Sequence, residues 1–374
     1  MKGLMRVAIV TNIPAPYRLP IYELLAEKRD LQLGLFFCNE REPDREWNLA
    51  QLKVPHVFLR GYVLRWRERF VHTNPGVWSA LSAFQPDVVV TTGFNPTHLL
   101  AFAFARMRGV KHVAMTDGTA VSESALTFMH RWVRRWVYGR TQAFVGASEG
   151  SLELYRRYGV STSATFKSHL CANNPAFTQT PRVPREFDFI FCGRFAEGKL
   201  PLFAIDVAER TARQLGRRVR LLLVGSGPLE ARMREQADLC AEYVKTHFVG
   251  FARQAELPAH YARAKLMLFP TVGDTWGVVA NEACAAGVPV LVSQRAGVAG
   301  DLVVDQKNGR VLPLDAAQWA EAAAELLRNE PAWQRMSASA RAAVEPYTYA
   351  NAAAGLADAI ALATRRKTEE AKHD

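Results

Sequence analysis

Cysteine is scarce in this 374-residue chain, and the few cysteines that are present show no paired spacing. Their positions are Cys38, Cys171, Cys192, Cys240 and Cys284. An odd, scattered set without a Cys-x-x-Cys pair supports neither a disulfide framework nor a zinc site. The pattern favours reduced thiols in a cytoplasmic protein.

Long apolar runs are lacking too. No run approaches the ~18 residues that a membrane-spanning helix needs. Residues 1–10 lack the apolar region and the cleavage site of a signal peptide, so we expect them to contain the first core strand. The length suffices for two domains with their own cores, and only a charged tail from about residue 365 is expected to lie outside them.

The spacings that hold metal ions are missing as well. His98 and His112 have no partner at a metal-ligand spacing. No Asp-x-Asp motif follows a strand, since the nearest candidate, residues 186–188, precedes one. Metal dependence is therefore not predicted.

The positive charge is unevenly distributed. Residues 1–185 carry 24 Lys and Arg against 13 Asp and Glu, whereas residues 186–374 carry 23 against 23, so the first half holds the whole net charge of +11. Two basic aromatic stretches, 62–70 and 128–138, lie in that half. They favour an anionic membrane surface as a partner. Burial of the aromatic stripe against the sheet is the alternative, and RNA is disfavoured because no RNA-binding motif accompanies them.

Short apolar or β-branched runs alternate with helical patterns in two series. The first has strand patterns at 6–10, 31–37, 88–90 and 113–115, and the second at 187–192, 219–224, 246–249, 266–269 and 288–292. This alternation predicts parallel sheets covered by helices on both faces. We therefore predict an α/β fold class with two Rossmann-like domains.

The stretch between the two series, residues 173–184, is rich in proline and polar residues, as interdomain linkers are. The predicted boundary lies near residue 180, between an N-terminal domain at 1–180 and a C-terminal domain at 181–345. A last segment, 346–374, combines a helical pattern at 349–364 with the charged tail.

Two carboxylates, Asp274 and Glu282, stand eight positions apart across a predicted loop-to-helix junction. Gly277 marks the turn, Val278 begins the helical pattern, and Gly287 closes it. One carboxylate can bind sugar hydroxyls while the other binds a ribose. The alternative is an ordinary capped helix after a buried strand.

Two cations follow the strand at 187–192. Gly193, Arg194 and Lys199 lie between that strand and a helical pattern at 200–215. A planar guanidinium and an ammonium can both stabilise negative charge that develops on a diphosphate leaving group. A solvated loop is the alternative interpretation.

A glycine turn follows the strand at 219–224. Gly225 and Gly227 would bring backbone N–H groups close to a ligand. A nicotinamide cofactor is disfavoured because the third glycine of a dinucleotide fingerprint is missing. Phe251 lies at the end of the next strand pattern, where a plain strand end is the competing interpretation.

The first half offers one candidate carboxylate. Asp117 follows the strand at 113–115, and residues 11–18 follow the first strand, so both reach the carboxyl edge of the predicted sheet. Asp117 could orient an acceptor hydroxyl or a sugar, or it could cap a helix. Residues 11–18 could equally form a rigid turn.

The acidic pair, the segment 193–199 and the turn at 224–228 together resemble the retaining GT-B glycosyltransferases of family 4, the glycosyl transferases group 1. The likeness covers the C-terminal domain well and the N-terminal domain loosely. Residues 11–18, Arg45 with Trp47, and the wording of 274–282 resemble the branch that acts in exopolysaccharide and O-antigen assembly. The family usually begins its acidic signature with Glu, whereas this chain has Asp274, one methylene shorter.

The resemblance implies a GT-B fold, two Rossmann-like domains facing across a cleft, with the last helix crossing back to the N-terminal domain. It implies that Arg194 and Lys199 bind the diphosphate, that Asp274 and Glu282 hold the donor, and that Asp117 stands where many relatives have a catalytic His. The expected nucleotide-binding positions are Gly193, Gly225, Gly227, Phe251, Gly277 and Val278.

The expected activity is transfer of a sugar from a UDP- or GDP-sugar, as co-substrate without another cofactor, to a lipid-linked or saccharide acceptor with retention of configuration. The expected setting is cell-surface polysaccharide synthesis at the cytoplasmic face of the plasma membrane, with no nucleic acid as partner. The alternatives are a sugar-nucleotide epimerase of the same fold and a non-enzymatic basic RNA-binding or scaffold protein.

Overall fold

The structure, a computed structural model, describes residues 4–41, 52–66, 69–124, 126–181 and 183–365. Arg45 and Trp47 lie outside these residues. The chain divides into two compact units, one made of residues 1–170 with 349–374 and the other of residues 171–348.

The first unit is built on a parallel sheet. Its described strands are β1 (Met5–Thr11), β2 (Leu31–Phe37), β3 (His56–Phe58), β4 (Tyr62–Trp66), β5 (Arg69–Thr73), β6 (Val88–Thr91), β7 (Lys111–Thr116), β8 (Ala143–Gly146) and β9 (Thr165–Lys167). In the described residues, seven of them form one sheet in the order β3-β2-β1-β6-β7-β8-β9, and every pair is parallel. Strands β4 and β5 form a separate antiparallel hairpin.

Helices cover both faces of this sheet. They include α1 (Leu19–Ala26), α2 (Val77–Phe84), α3 (Pro96–Met107), α4 (Phe128–Tyr138) and α5 (Glu149–Arg157). Successive strand residues point to opposite faces, so Val7 and Ile9 pack into one apolar cluster while Ala8 and Val10 pack into another. Both clusters are buried, which explains why β1 reads as a continuous apolar run.

The second unit repeats this architecture. Its strands are β10 (Phe187–Cys192), β11 (Val219–Val224), β12 (Val244–Gly250), β13 (Ala264–Phe269), β14 (Val290–Ser293) and β15 (Gly309–Leu312). They form a parallel sheet in the order β12-β11-β10-β13-β14-β15. Its helices are α6 (Asn174–Thr178), α7 (Pro201–Leu215), α8 (Glu230–Leu239), α9 (Leu257–Ala262), α10 (Val278–Ala285), α11 (Ala316–Arg328) and α12 (Glu330–Ala343). The prediction of two Rossmann-like α/β units with parallel sheets is confirmed.

The last helix, α13 (Tyr349–Thr364), packs on the first unit. It contacts α1 and strands β7, β8 and β9. Leu356 and Ile360 are buried in the same cluster as Val7 and Ile9. Helices α1 and α13, which are far apart in the sequence, therefore cover the same face of the first sheet.

The boundary between the units falls earlier than the sequence predicts. The first unit ends at Leu170 rather than near residue 180, because part of the predicted linker folds as α6 and contacts α9 and α10. Phe177 of α6 is buried, with its ring 5.7 Å from that of Tyr261. Pro175 lies in the first turn of α6, where proline is tolerated, so it does not prevent a helix here. The second unit likewise extends to Thr348 rather than residue 345.

In the described part of the chain, no helix combines the length and the apolar character needed to cross a bilayer.

Candidate functional site

The loops that follow β10, β11 and β12 are joined by backbone hydrogen bonds. The N–H of Gly193 donates to the carbonyl of Val224 at 3.0 Å, and the N–H of Phe195 donates to Ser226 at 2.8 Å. The N–H of Gly225 donates to the carbonyl of Gly250 at 2.8 Å. All three loops leave the carboxyl ends of parallel strands, which is where open α/β sheets bind ligands.

Gly225 is required for this close approach. Its φ is 139°, a conformation that side-chain-bearing residues rarely adopt. A Cβ at this position would lie 1.9 Å from the carbonyl oxygen of Gly193. The predicted glycine turn therefore brings the backbones of two loops together, whether or not a ligand is bound.

Lys199 and Asp274 are brought together by a second set of backbone contacts. The carbonyl of Gly198 accepts hydrogen bonds from the N–H of Val272 at 3.1 Å and from the hydroxyl of Thr271 at 3.0 Å. This joins the 3-10 turn Glu197–Lys199 to the loop after β13. The ammonium of Lys199 forms an ion pair with the Asp274 carboxylate.

The predicted loop-to-helix junction is present. Helix α10 begins at Val278 after Gly277, whose φ of 108° belongs to the left-handed region. A Cβ on Gly277 would lie 2.3 Å from the ring of Phe269. Asp274 precedes the helix and accepts a hydrogen bond from the N–H of Trp276 at 3.2 Å, so its carboxylate is held at the helix entrance.

Glu282 lies inside α10 and is buried. The hydroxyl of Tyr261 donates to its carboxylate at 3.0 Å, and the amide of Gln254 donates at 3.3 Å. Burial raises the pKa of Glu282 from its ordinary 4.5 to about 7, although the hydrogen bonds from Tyr261 and Gln254 act in the opposite direction. Near neutral pH this carboxyl can therefore gain or lose a proton when a polar ligand arrives.

The other predicted residues of the second unit are accessible. Arg194 is exposed on the loop that follows β10, and Phe251, which follows β12, has 47% of its surface exposed. Gly227 also has a positive φ, of 154°, and belongs to the turn after β11. The structure thus places all the predicted residues of this unit on loops or helix starts at the carboxyl edge of one sheet, apart from Glu282, which lies deeper in α10.

Asp117, in the first unit, forms an ion pair with Arg18. Arg18 is buried and also donates to the carbonyl of Ser168 at 3.0 Å. Burial lowers the pKa of the guanidinium, but the Asp117 carboxylate and neighbouring tyrosines offset this, and the pKa lies above its ordinary value. The helix-cap alternative for Asp117 is wrong, because the next described helix starts at Phe128 with Thr127 before it.

Sequence reasoning missed the partners of both carboxylates. Tyr261 and Gln254 are 21 and 28 positions from Glu282, and no motif marks them. The sequence indicates only a turn around Arg18. Its pairing with Asp117, 99 positions away, is not predicted. The available signal was an arginine in the segment between the first strand and the first helix.

The two histidines considered for metal binding are buried. Burial lowers the pKa of both His98 and His112 to about 3, so each is neutral at physiological pH. His112 contacts the hydroxyls of Thr91 and Thr141 at 3.0 and 2.8 Å. Among the described residues, no group of three or more His, Cys, Asp or Glu side chains is arranged to hold a metal ion.

Helix α4 presents an apolar and basic face to solvent. Phe128, Met129 and Trp132 are exposed, and Arg131 and Arg135 flank them. A groove of about 600 Å³ runs beside this face, between α4, α5 and the preceding loop. The burial alternative therefore does not hold for the first two turns of α4.

Arg134 does not belong to this exposed face. Its guanidinium pairs with Glu123 at 2.7 Å, with only 12% of either side chain exposed. It also stacks over the ring of Phe94, 4.3 Å from the ring centroid. Among Arg131, Arg134 and Arg135 of this helix, Arg134 therefore has a structural role, whereas the other two are exposed.

Two families match this chain in succession. The family described as "Glycosyl transferase 4-like domain" matches residues 7–165. The family described as "Glycosyl transferases group 1" matches residues 174–343. The two matches correspond to the two units of the structure.

Individual relatives and solved structures agree with these families. The D-inositol 3-phosphate glycosyltransferase of Xylanimonas cellulosilytica is 30% identical over 183 residues, which is 48% of this chain and 43% of that protein. The crystal structure of Anabaena HepE in complex with UDP covers 96% of this chain and 100% of its own, with a TM-score of 0.76 and 15% identity. WaaG, described as a glycosyltransferase involved in lipopolysaccharide biosynthesis, covers 94% and 98% with a TM-score of 0.68 and 16% identity.

The curated relative is matched over less than half of its length, and the structural likenesses, at such low identity, show the fold alone. The fold is that of the GT-B glycosyltransferases, with two Rossmann-like α/β domains. The chain contains a glycosyl transferase 4-like domain at residues 7–165, followed by a glycosyl transferases group 1 domain at residues 174–343.

Replacement of Glu282 by Gln is expected to change the pH dependence of stability. Because the pKa in the fold lies above 4.5, the stability linked to the neutral carboxyl is present below pH 4.5 and lost as the pH rises through about 7. Glu282→Gln keeps an acceptor for Tyr261 and removes this loss. The variant should gain stability over the parent between pH 5 and pH 8.5, by at most about 3 kcal/mol.

Chemical denaturation at several pH values measures this difference. Glu325→Gln is the matched control, since Glu325 belongs to the same unit and its side chain is 72% exposed. A constant difference between Glu282→Gln and the parent across this range would contradict the raised pKa.

Proposed function

We propose that this chain is a retaining glycosyltransferase that transfers a sugar from a nucleoside diphosphate sugar to a lipid-linked or saccharide acceptor. The observation that carries the proposal is the arrangement of Arg194, Lys199 and Asp274 at the carboxyl edge of the second sheet, within the group 1 domain. Two cations can take a diphosphate there, and a carboxylate beside them can accept hydrogen bonds from sugar hydroxyls.

The proposed reaction breaks the bond between the anomeric carbon and the diphosphate oxygen. The acceptor hydroxyl forms the new bond and gives its proton to the departing diphosphate oxygen, and the sugar keeps its anomeric configuration. Arg194 and Lys199 stabilise the charge that grows on the leaving diphosphate. Support for a nucleoside diphosphate comes from HepE, whose structure contains UDP.

Glu282 is proposed to bind the ribose of the donor. Its raised pKa leaves the carboxyl partly protonated near pH 7, and hydroxyl donors favour the ionised form. Donor binding should therefore release protons between about pH 5.5 and 7, and affinity should rise with pH through this range.

Asp117 is proposed to orient the acceptor hydroxyl or the sugar. Its pairing with buried Arg18 fixes one carboxylate oxygen, while 37% of the side chain is exposed to solvent. The remaining carboxylate surface is thus available to a polar ligand.

The proposed setting is cell-surface polysaccharide synthesis at the cytoplasmic face of the plasma membrane. WaaG, which shares the fold, is described as acting in lipopolysaccharide biosynthesis. The exposed aromatic and arginine side chains of α4 fit an anionic bilayer surface, where each nearby cation contributes about 1 kcal/mol. The groove beside α4 adds Arg157 to the basic surface.

Calorimetry with UDP, GDP, UDP-glucose and GDP-mannose tests the donor class. The full chain should bind either the two uridine compounds or the two guanosine compounds. Because binding releases protons, the measured heat should change with the ionisation enthalpy of the buffer. Product that forms only when an acceptor is added supports transfer, whereas a new sugar nucleotide without acceptor would identify an epimerase. A lack of binding to all four compounds would favour a scaffold protein.

Arg194→Ala is expected to lower kcat by roughly 10²- to 10³-fold, as loss of a charge contact to the transition state does. Arg194 is exposed, so the fold should be retained. Arg218→Ala is the control, because Arg218 is exposed in the same unit but lies just before β11, at the opposite edge of the sheet. Unchanged turnover at saturating donor would remove Arg194 from the proposed mechanism.

Co-sedimentation with liposomes tests the membrane surface. Arg131/Arg135→Ala should weaken recovery with anionic vesicles, and added salt should weaken it further. Arg134 is left unchanged because its pair with Glu123 is structural. Arg106/Arg108→Ala at the end of α3 removes the same charge from another exposed site of this unit and should have little effect. Equal recovery with neutral and anionic vesicles would argue for a soluble acceptor.

A further inference from the structure

The ion pair between Lys199 and Asp274 joins two groups that are proposed to bind different parts of the donor. Lys199 would bind the diphosphate, and Asp274 would bind the sugar. Both remain partly accessible, with 34% and 18% of their side chains exposed. Any anion that approaches Lys199 therefore also approaches a carboxylate.

The carboxylate is restrained in this position. Its backbone carbonyl accepts from the N–H of Gly297 at 2.8 Å, and one carboxylate oxygen accepts from the N–H of Trp276. Lys199 is restrained by the double hydrogen bond to the carbonyl of Gly198, next to it in sequence. The two backbone segments that carry Lys199 and Asp274 cannot separate without breaking these hydrogen bonds.

This arrangement favours binding of a nucleoside diphosphate sugar over binding of the free nucleoside diphosphate. A free nucleoside diphosphate ends in a terminal phosphate, which carries extra negative charge and offers no hydroxyl donors, so it is repelled by Asp274. In a nucleoside diphosphate sugar, the esterified phosphate carries less charge, and the hydroxyls of the sugar can donate to the carboxylate. The same carboxylate thus attracts the substrate and opposes the product.

We propose that Asp274 is the residue that discriminates the nucleoside diphosphate sugar from the nucleoside diphosphate released by the reaction. The inference rests on the proposed function of this site and adds a specificity to it. Lys199 is the shared attractive contact, and Asp274 supplies both a contact for the correct ligand and repulsion for the wrong one. Repulsion by Asp274 also promotes release of the product once the sugar has left.

Replacing the carboxylate with an amide separates these contributions. Asp274→Asn keeps an oxygen that can accept from the N–H of Trp276 and removes the negative charge beside Lys199. The matched control is Asp305→Asn, since Asp305 also pairs with a cation, Arg310, and accepts a backbone N–H, that of Val311 at 2.9 Å. Asp305 has no part in the proposed site.

Calorimetry on the full chain, with UDP against UDP-glucose and GDP against GDP-mannose, measures the effect. In Asp274→Asn the nucleoside diphosphate should bind about 10-fold more tightly, as a change of one pairwise charge contact allows, while the sugar nucleotide should bind equally or more weakly. The inhibition constant of the nucleoside diphosphate in turnover assays should fall in parallel. Asp305→Asn should leave the ratio of the two affinities unchanged.

The outcomes distinguish this inference from the function on which it rests. If the parent binds none of the four nucleotides, the proposed function fails, and the inference fails with it. If the parent binds one pair but Asp274→Asn changes both affinities equally, or weakens the nucleoside diphosphate, then the function stands and the discrimination by Asp274 is overturned.

Discussion

The carbonyl oxygen of Gly198 is the contact on which the arrangement of the candidate site depends. It accepts hydrogen bonds from Val272 and Thr271, which belong to the loop after β13, while its own loop follows β10. These strands are neighbours in the sheet. The backbone therefore holds the two segments together, and the charges of Lys199 and Asp274 then pair across them.

The three candidate carboxylates are held in three different electrostatic environments. Asp117 is paired with a buried arginine, Asp274 with a partly exposed lysine, and Glu282 with two neutral hydrogen-bond donors. Burial beside neutral donors raises the pKa of Glu282, although the hydrogen bonds from those donors act in the opposite direction. Three carboxyl groups can thus have different proposed roles in one protein because their surroundings differ.

The sequence predicted nine strands of the two described sheets because each is short, apolar and followed by a turn, but it missed β3, β8, β9 and β15. β1, β2, β10 and β11 lie where the apolar runs indicate them, and α10 begins at Val278 as expected. The predicted linker was wrong in part, since proline marks the first turn of a helix as readily as it marks a loop. Packing of Phe177 against Tyr261 identifies this segment as a packed helix.

Within the candidate site, sequence patterns indicated the residues that lie next to glycine turns. They missed the residues that contact these from distant positions in the sequence. Arg18 pairs with Asp117 across strands that are not adjacent in sequence, and Tyr261 meets Glu282 from another helix. Such pairs depend on how parallel strands and their connections are arranged. A single sequence contains no local pattern that records them.

The return of α13 to the first unit has a consequence for the order of folding during synthesis. The second unit is continuous in sequence and is complete once residue 348 has left the ribosome. The first unit, although it is translated first, lacks Leu356 and Ile360 of its core until α13 has emerged. Until then one face of its sheet stays partly uncovered, and exposed apolar surface of this kind is prone to aggregation.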